Sequence, residues 1–268
     1  MGVVCSCSKP HDPLLVQSFS AIKVRPQSQL LTTLDPVIGL ESIKQELSSY
    51  LSVHKANISK PLLRVYEAAV SEPDKGLESV RMKQWKMREE DWKHVRKLCD
   101  FYWLIGRVLV WKMTLSTNGF KALCGCLERL KALKALSMGD LGLGNHSVEL
   151  LSLTLGKLFN LQHLVLTLND LLPEHIALLV PALTSLPDLQ ELVLDENRIS
   201  DAGCSTLSQG VKGMERLTLL SVRNNCITHV GCAQLLRVAG LRPSLKVFLE
   251  GNEIGEEDLE GLQAAVSM

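Results

Sequence analysis

Apolar residues recur along this chain with a period of 28 residues, and seven consecutive segments share the same apolar positions. The segments start at Leu77, Ile105, Leu133, Leu161, Leu189, Leu217 and Ser244. A fixed period of this length is typical of a solenoid, in which each unit is too small to bury its own apolar face and must stack on its neighbours. The sequence therefore predicts a repeat array over residues 77–268 that presents a surface.

Each repeat contains two different hydrophobic patterns, which the repeat from Leu189 illustrates. Counting its first residue as position 0, Leu192 and Leu194 occupy positions 3 and 5, an alternation that predicts a short strand with both side chains in the core. Leu207 and Val211 occupy positions 18 and 22, a four-residue spacing that marks one face of a helix. Each repeat is thus predicted to be one strand followed by one helix.

Position 8 changes character along the array. The first three repeats have apolar residues there, and the last four have asparagines: Trp85, Met113, Leu141, Asn169, Asn197, Asn225 and Asn252. An inward asparagine at a tight turn can bond the backbone groups of adjacent coils that the bend leaves unpaired. We therefore expect the four asparagines to stack. Position 14, where the chain enters the helix, is glycine in three repeats: Gly119, Gly203 and Gly231.

The later repeats fit the pattern LxxLxLxxNxLxxxGxxxLxxxL, as in LQELVLDENRISDAGCSTLSQGV from Leu189. This pattern resembles the leucine-rich repeat of the ribonuclease-inhibitor type, also found in the repeat domains of nucleotide-binding innate-immune receptors. The resemblance covers residues 77–268 and is strongest from Leu161 onward. It implies an α/β solenoid, or horseshoe, with a parallel sheet on the concave side, helices on the convex side and protein partners. The sequence contains no GxxxxGK[ST] phosphate loop, so the receptors' nucleotide-binding domain is not predicted.

Two helices are predicted before the repeats, in a small cap over residues 36–76. The first helix should begin with Asp35 as N-cap and Pro36 at its first position. The second should begin with Ser59 as its cap and end before a turn at 72–76. Together they would cover the open end of the first repeat, as solenoid ends require. Residues 1–35 lack sustained periodicity and predict a flexible tether.

The first residues, MGVVCSCSK, suggest lipidation. Gly2 followed by Ser6 fits the N-myristoylation pattern, and Cys5 or Cys7 could carry the palmitoyl group that stable anchoring requires. The alternative is an unmodified flexible tail with incidental cysteines. The chain lacks a signal-peptide core and a long apolar run, so a cytoplasmic location is expected, with lipidation placing the protein on the cytoplasmic face of a membrane. The eight cysteines should then be reduced.

Charge is distributed unevenly, although 29 Lys and Arg balance 29 Asp and Glu. Residues 1–112 hold 17 Lys and Arg against 12 Asp and Glu, and residues 113–268 hold 12 against 17. The solenoid should therefore have a basic end, which would favour an anionic membrane surface, and an acidic end. A neutral chain of this kind argues against an inhibitor of strongly basic nucleases, which would need a strongly acidic face.

Strand positions 2, 4 and 6 should point away from the core and form the binding surface. The candidate protein-binding residues are Arg81, Lys83, Arg107, Leu109, Trp111, Val165, Val193, Asp195, Arg223 and Phe248. Aromatic and arginine side chains on a rigid sheet are typical anchors for a protein partner. For Leu109 and Trp111 the alternative is that the amino-terminal segment folds back and covers them.

No catalytic motif accompanies the repeats. The seven histidines share no motif, the SxxK matches at Ser6 and Ser52 lack companion motifs, and Cys124 with Cys126 is too small a set for zinc. We therefore expect no enzyme activity, cofactor, small-molecule substrate or nucleic acid. The sequence predicts a protein-interaction scaffold or adaptor, tethered to a membrane by acylation. The alternative is a soluble cytosolic regulator or inhibitor of a protein partner, related to innate immunity or to ubiquitin ligases.

Overall fold

A computed structural model describes residues 36–71, 79–101 and 105–255, with backbone only for 36–41. Two helices come first, α1 (Pro36–His54) and α2 (Lys60–Ser71), joined through a 3-10 turn at Lys55–Asn57. Strands and helices then alternate: β1 (Ser79–Lys83), α3 (Asp91–Phe101), β2 (Arg107–Trp111), α4 (Thr117–Leu127), β3 (Ala135–Gly139), α5 (Asn145–Leu155), β4 (His163–Val165), α6 (Pro173–Thr184), β5 (Glu191–Val193), α7 (Ser200–Val211), β6 (Leu219–Ser221), α8 (His229–Gly240) and β7 (Lys246–Phe248).

Four predictions lie outside the described residues. They are the tether at 1–35 with its lipidation residues, Asp35 as the N-cap of the first helix, the turn at 72–76 and the helix of the last repeat. The two predicted cap helices and the predicted strands are present.

The strands form one parallel sheet in chain order, from β1 to β7. Val80 pairs with Val108 and Leu192 with Leu220, so the register advances by one repeat period at each strand. Strands in a sheet lie about 4.8 Å apart, whereas packed helices need about 8–10 Å. An array with one strand and one helix per repeat must therefore curve, with the sheet on its concave side. The fold is an α/β leucine-rich repeat solenoid.

The core lies between the sheet and the helices, where the sequence pattern predicts it. Leu192, Leu194 and Leu207 have no exposed surface, and Val211 is 1% exposed. Among the described residues, apolar side chains of all the strands and of the helices α3 to α8 join one continuous hydrophobic cluster that runs into the cap. Because no repeat encloses its own core, stability depends on the contacts between neighbouring repeats.

The predicted asparagine ladder is confirmed, and Asn197 illustrates it. Its Oδ1 accepts the backbone N–H groups of Asn169 at 2.9 Å and Leu171 at 3.1 Å, both in the preceding repeat. Its Nδ2 donates to the carbonyl of Leu166 at 2.9 Å in that repeat and to the carbonyl of Leu194 at 2.8 Å in its own. Asparagines at the same position bond the preceding repeat in the same way: Asn169, Asn225 and Asn252.

A left-handed residue at position 7 turns the chain in every repeat, and the sequence did not predict it. The residues are Gln84, Lys112, Asp140, Leu168, Glu196, Asn224 and Gly251, with φ between 51° and 73°. Asn, Asp and Gly adopt this conformation readily, but Leu168 and Glu196 do not. The turn is therefore imposed by the stacking of the repeats rather than by the local residue.

The cap is held on the first repeat by Asp91, which is fully buried at the start of α3. Its carboxylate accepts the backbone N–H of Ser59 at 3.1 Å, just before α2, and forms an ion pair with Arg88 at 3.0 Å. From the cap side, the Tyr66 hydroxyl donates to the carbonyl of His94 at 2.7 Å. The Ser59 hydroxyl is buried without a hydrogen-bond partner among the described residues, so its predicted role as the cap of α2 is wrong.

The buried His94 should make stability depend on pH. Burial, followed by the charges of Lys93 and His54, lowers the pKa of His94 from its ordinary 6.5. Below about pH 6.5 the imidazole of His94 therefore binds a proton more readily in the unfolded chain than in the folded chain. The free energy of unfolding falls as the pH falls through this range. Urea titrations at pH 7.5 and 5.5 should show that the free energy of unfolding falls more between these pH values in the wild type than in His94→Gln. His229 is exposed, so His229→Gln is the control and should behave like the wild type. If the free energy of unfolding of His94→Gln depends on pH as strongly as that of the wild type, the assignment is wrong.

Candidate protein-binding face

The sheet has two unlike faces along β1, as the alternation predicts. Val80 and Met82 point into the core and are buried, whereas Arg81 and Lys83 point to the other side and are exposed. Because the helices cover the opposite face of the sheet, Arg81 and Lys83 lie on the concave side. This face therefore begins with two cations.

Next to these cations on β2 lie two half-buried apolar side chains. Leu109 is in register with Arg81, and Trp111 is in register with Lys83. The Trp111 ring lies across Gly139 on β3, where a side-chain carbon would overlap it. We call Arg81, Lys83, Leu109 and Trp111 the amino-terminal patch. It unites four of the predicted binding residues, and Gly139 is a supporting residue that sequence reasoning missed.

We expect Gly139→Ala to destabilise the chain by about 1–3 kcal/mol, because the new methyl group must displace the Trp111 ring. In a Trp111→Ala background the same substitution should cost little, since the ring is gone. Urea unfolding of the two single variants and the double variant gives the coupling energy. Additive effects would show that Trp111 does not rest on Gly139.

Two predicted residues at the centre of the face are not exposed. Val165 is 2% exposed, since it lies in register between Ser137 on one side and Val193 on the other. Asp195 is 3% exposed and accepts the Ser221 hydroxyl at 2.6 Å. The prediction that Val165 and Asp195 present their side chains to a partner is wrong. Neighbouring side chains on the concave side converge and cover them, while Val193 stays half-buried.

At the carboxyl-terminal end, Arg223 and Phe248 contact one another. The Arg223 guanidinium lies 4.5 Å from the centre of the Phe248 ring and donates to Glu250 at 2.7 Å. Burial alone would raise the pKa of Glu250, but the hydrogen bond from Arg223 lowers it below its ordinary value. The Arg223 backbone N–H also donates to Asp195 at 2.9 Å. These side chains are therefore held in place by each other.

The remaining predicted binding residue, Arg107, is half-buried at the start of β2. Further along the face, His163 and Glu191 approach to 2.8 Å across β4 and β5. The face therefore changes from cationic and apolar on β1 and β2 to side chains that contact one another, His163 with Glu191 and Arg223 with Glu250, with Lys246 exposed on β7.

The lipidation candidates Gly2, Cys5 and Cys7 lie outside the described residues. In the described part of the chain, none of the helices combines the length and the hydrophobicity that crossing a bilayer requires. Over the same residues, His, Cys, Asp and Glu side chains form no group of three that could hold a metal ion.

Comparisons with known proteins add little to this picture. No family model matches the chain, and no curated protein matches it significantly. Among solved structures it is similar to an internalin (inlF) from Listeria monocytogenes, at 15% sequence identity over 71% of this chain and 78% of the internalin chain, with a TM-score of 0.33.

Proposed function

We propose that this chain is a non-enzymatic scaffold that binds another protein through the concave face of its sheet. The observation that carries the proposal is the amino-terminal patch, where Trp111 and Leu109 stay partly exposed beside two cations. Aromatic and basic side chains on a rigid surface dominate the energy of many protein interfaces. The leucine-rich repeat fold supports the same role, because it presents its sheet over the whole length of the array.

Proximity labelling in cells tests this proposal. A labelling enzyme fused to the carboxyl terminus should mark a set of proteins that is lost when Leu109 and Trp111 are both replaced by alanine. The matched control replaces two exposed apolar residues on the helical side, Leu153 and Phe159, which are 68% and 61% exposed. Identical labelled sets for the wild type and both variants would contradict the assignment of the concave face.

We further propose that the scaffold is tethered to a membrane through myristoylated Gly2 and palmitoylated Cys5 or Cys7. The support is the motif itself and the basic bias of residues 1–112. Labelled myristate should be incorporated by the wild type and not by Gly2→Ala. Membrane pelleting should depend on the same residue and on the two cysteines. A soluble wild-type protein without incorporated myristate would favour the cytosolic regulator.

A further inference from the structure

We infer that the partner of the amino-terminal patch is an acidic, extended protein segment with carboxylates at alternate positions. This inference rests on the proposed function and names the chemistry of its partner. It follows from the distribution of unpaired charge over the described part of the concave face.

The first four strands carry no acidic residue. Their sequences are SVRMK, RVLVW, ALSMG and HLV, and the first carboxylate in the sheet is Glu191 on β5. Within the described residues, Arg81 and Lys83 make no ion pair with any carboxylate. Two exposed cations therefore stand side by side on one strand, with nothing on their own sheet face to neutralise them.

Among the described residues, the carboxylates in the loops around the patch already make contacts of their own. Glu90 pairs with Arg88 at 2.8 Å, and Asp140 lies 3.5 Å from Lys112. Glu89 accepts the Ser116 hydroxyl, and Asp91 is buried in the contact with the cap. These groups therefore leave Arg81 and Lys83 available to an external anion.

The carboxylates of the distal half of the face are engaged in the same way. Glu191 contacts His163, Asp195 accepts from Ser221, and Glu250 accepts from Arg223. The described concave face therefore has two neighbouring cations, Arg81 and Lys83, at one end, whereas at the other end Lys246 on β7 is the one exposed strand cation without an ion pair among the described residues.

The spacing of the patch specifies the shape of the partner. Side chains two residues apart on one strand are about 6.6 Å apart. Carboxylates at alternate positions of an extended peptide have the same separation, so one strand-like segment can reach Arg81 and Lys83 together. An apolar side chain of that segment would then lie on Leu109 and Trp111, which occupy the adjacent strand in register.

Other occupants fit less well. A planar bilayer cannot follow a concave surface, so a lipid headgroup layer would reach the rim before the strands. The chain's own amino-terminal segment is not acidic, since residues 1–35 hold three Lys and Arg against two Asp and Glu. Charge complementarity therefore favours an acidic protein segment over residues 1–35 or a bilayer.

The test is selection of a random dodecapeptide library displayed on phage against the purified full-length chain. We expect enriched peptides with Asp or Glu at alternate positions beside an apolar residue. Fluorescence anisotropy of a synthesised winner should show at least about tenfold weaker binding to Arg81→Glu/Lys83→Glu. The control, Lys121→Glu/Lys131→Glu, makes the same change in net charge at exposed residues outside the sheet and should bind like the wild type. Circular dichroism checks that all variants fold.

The other outcomes overturn the inference in distinguishable ways. Neutral peptides that no longer bind Trp111→Ala but still bind the charge-reversed variant would contradict the acidic partner and would still support the proposed scaffold. If no enriched peptide depends on any residue of the patch, the inference fails, and proximity labelling alone then decides the proposed function. Patch-dependent binding to phosphatidylserine vesicles in place of peptides would make the ligand a membrane. Self-assembly in sedimentation that the charge reversal abolishes would make it a second copy of the chain.

Discussion

Replacing Asn197 with alanine is expected to lower the free energy of unfolding by at least about 3 kcal/mol. The substitution removes the acceptor of the Asn169 and Leu171 N–H groups and the donor to the Leu166 carbonyl. All of these groups lie in the buried seam between two repeats, where water cannot replace the lost partner. A buried polar group left unpaired costs about 1–3 kcal/mol. Because the substitution leaves several such groups unpaired between the same two repeats, the total loss in the free energy of unfolding should be large.

Urea unfolding followed by circular dichroism measures this loss, and Asn160→Ala is the matched control. Asn160 is exposed, and its side chain makes one bond between repeats, to the carbonyl of Lys131 at 2.8 Å. Because solvent can satisfy both groups after the change, this control should cost less than about 1 kcal/mol. Equal losses for the two variants would mean that the ladder does not join the repeats.

Asp91→Ala should cost about 3 kcal/mol and release the cap. The Ser59 N–H would lose its acceptor, and the backbone and guanidinium of Arg88 would lose theirs, at 2.9 Å and 3.0 Å from the carboxylate. Since the bond to Ser59 links the start of α2 to α3, helix α2 should open more readily than the repeats do. Hydrogen exchange should therefore rise most in residues 60–71.

Asp188→Ala is the control for this second prediction. Asp188 pairs with Arg216 at 2.6 Å, but both side chains are partly exposed. Surface ion pairs contribute about 0–1 kcal/mol, so this variant should keep both its stability and the exchange of the cap. If Asp91→Ala leaves exchange in α2 unchanged, the carboxylate does not hold the cap.

The repeat architecture could be predicted because its signal is repeated. Seven copies of one spacing define which residues face the core, and errors in a single repeat do not change the result. The asparagine ladder was predictable for the same reason, since an inward Asn such as Asn197 at a turn has few ways to satisfy its amide. Local signals were less reliable, as Ser59 shows. Its position before a helix predicted a side-chain cap, but its hydroxyl has no partner among the described residues, and Asp91 from a distant element accepts the Ser59 backbone N–H.

The depth of a side chain on the concave face could not be predicted from alternation. Alternation says on which side of the sheet a residue lies, and Val165 and Asp195 do lie on the predicted side. How far each is covered depends on its neighbours in register and on hydrogen bonds such as that from Ser221. The left-handed turn at Leu168 is likewise a property of the stack, because nothing in leucine favours it.

The asparagine ladder begins only at Asn169. The contacts between the first three repeats therefore lack these buried side-chain hydrogen bonds and have Met113 or Leu141 at the equivalent position. Local unfolding should therefore start at the end of the solenoid that carries Trp111. A ligand bound across β1 and β2 would connect the two repeats that separate most easily and would lower the rate of this local unfolding. Binding of a partner would therefore also stabilise the least stable end of the solenoid.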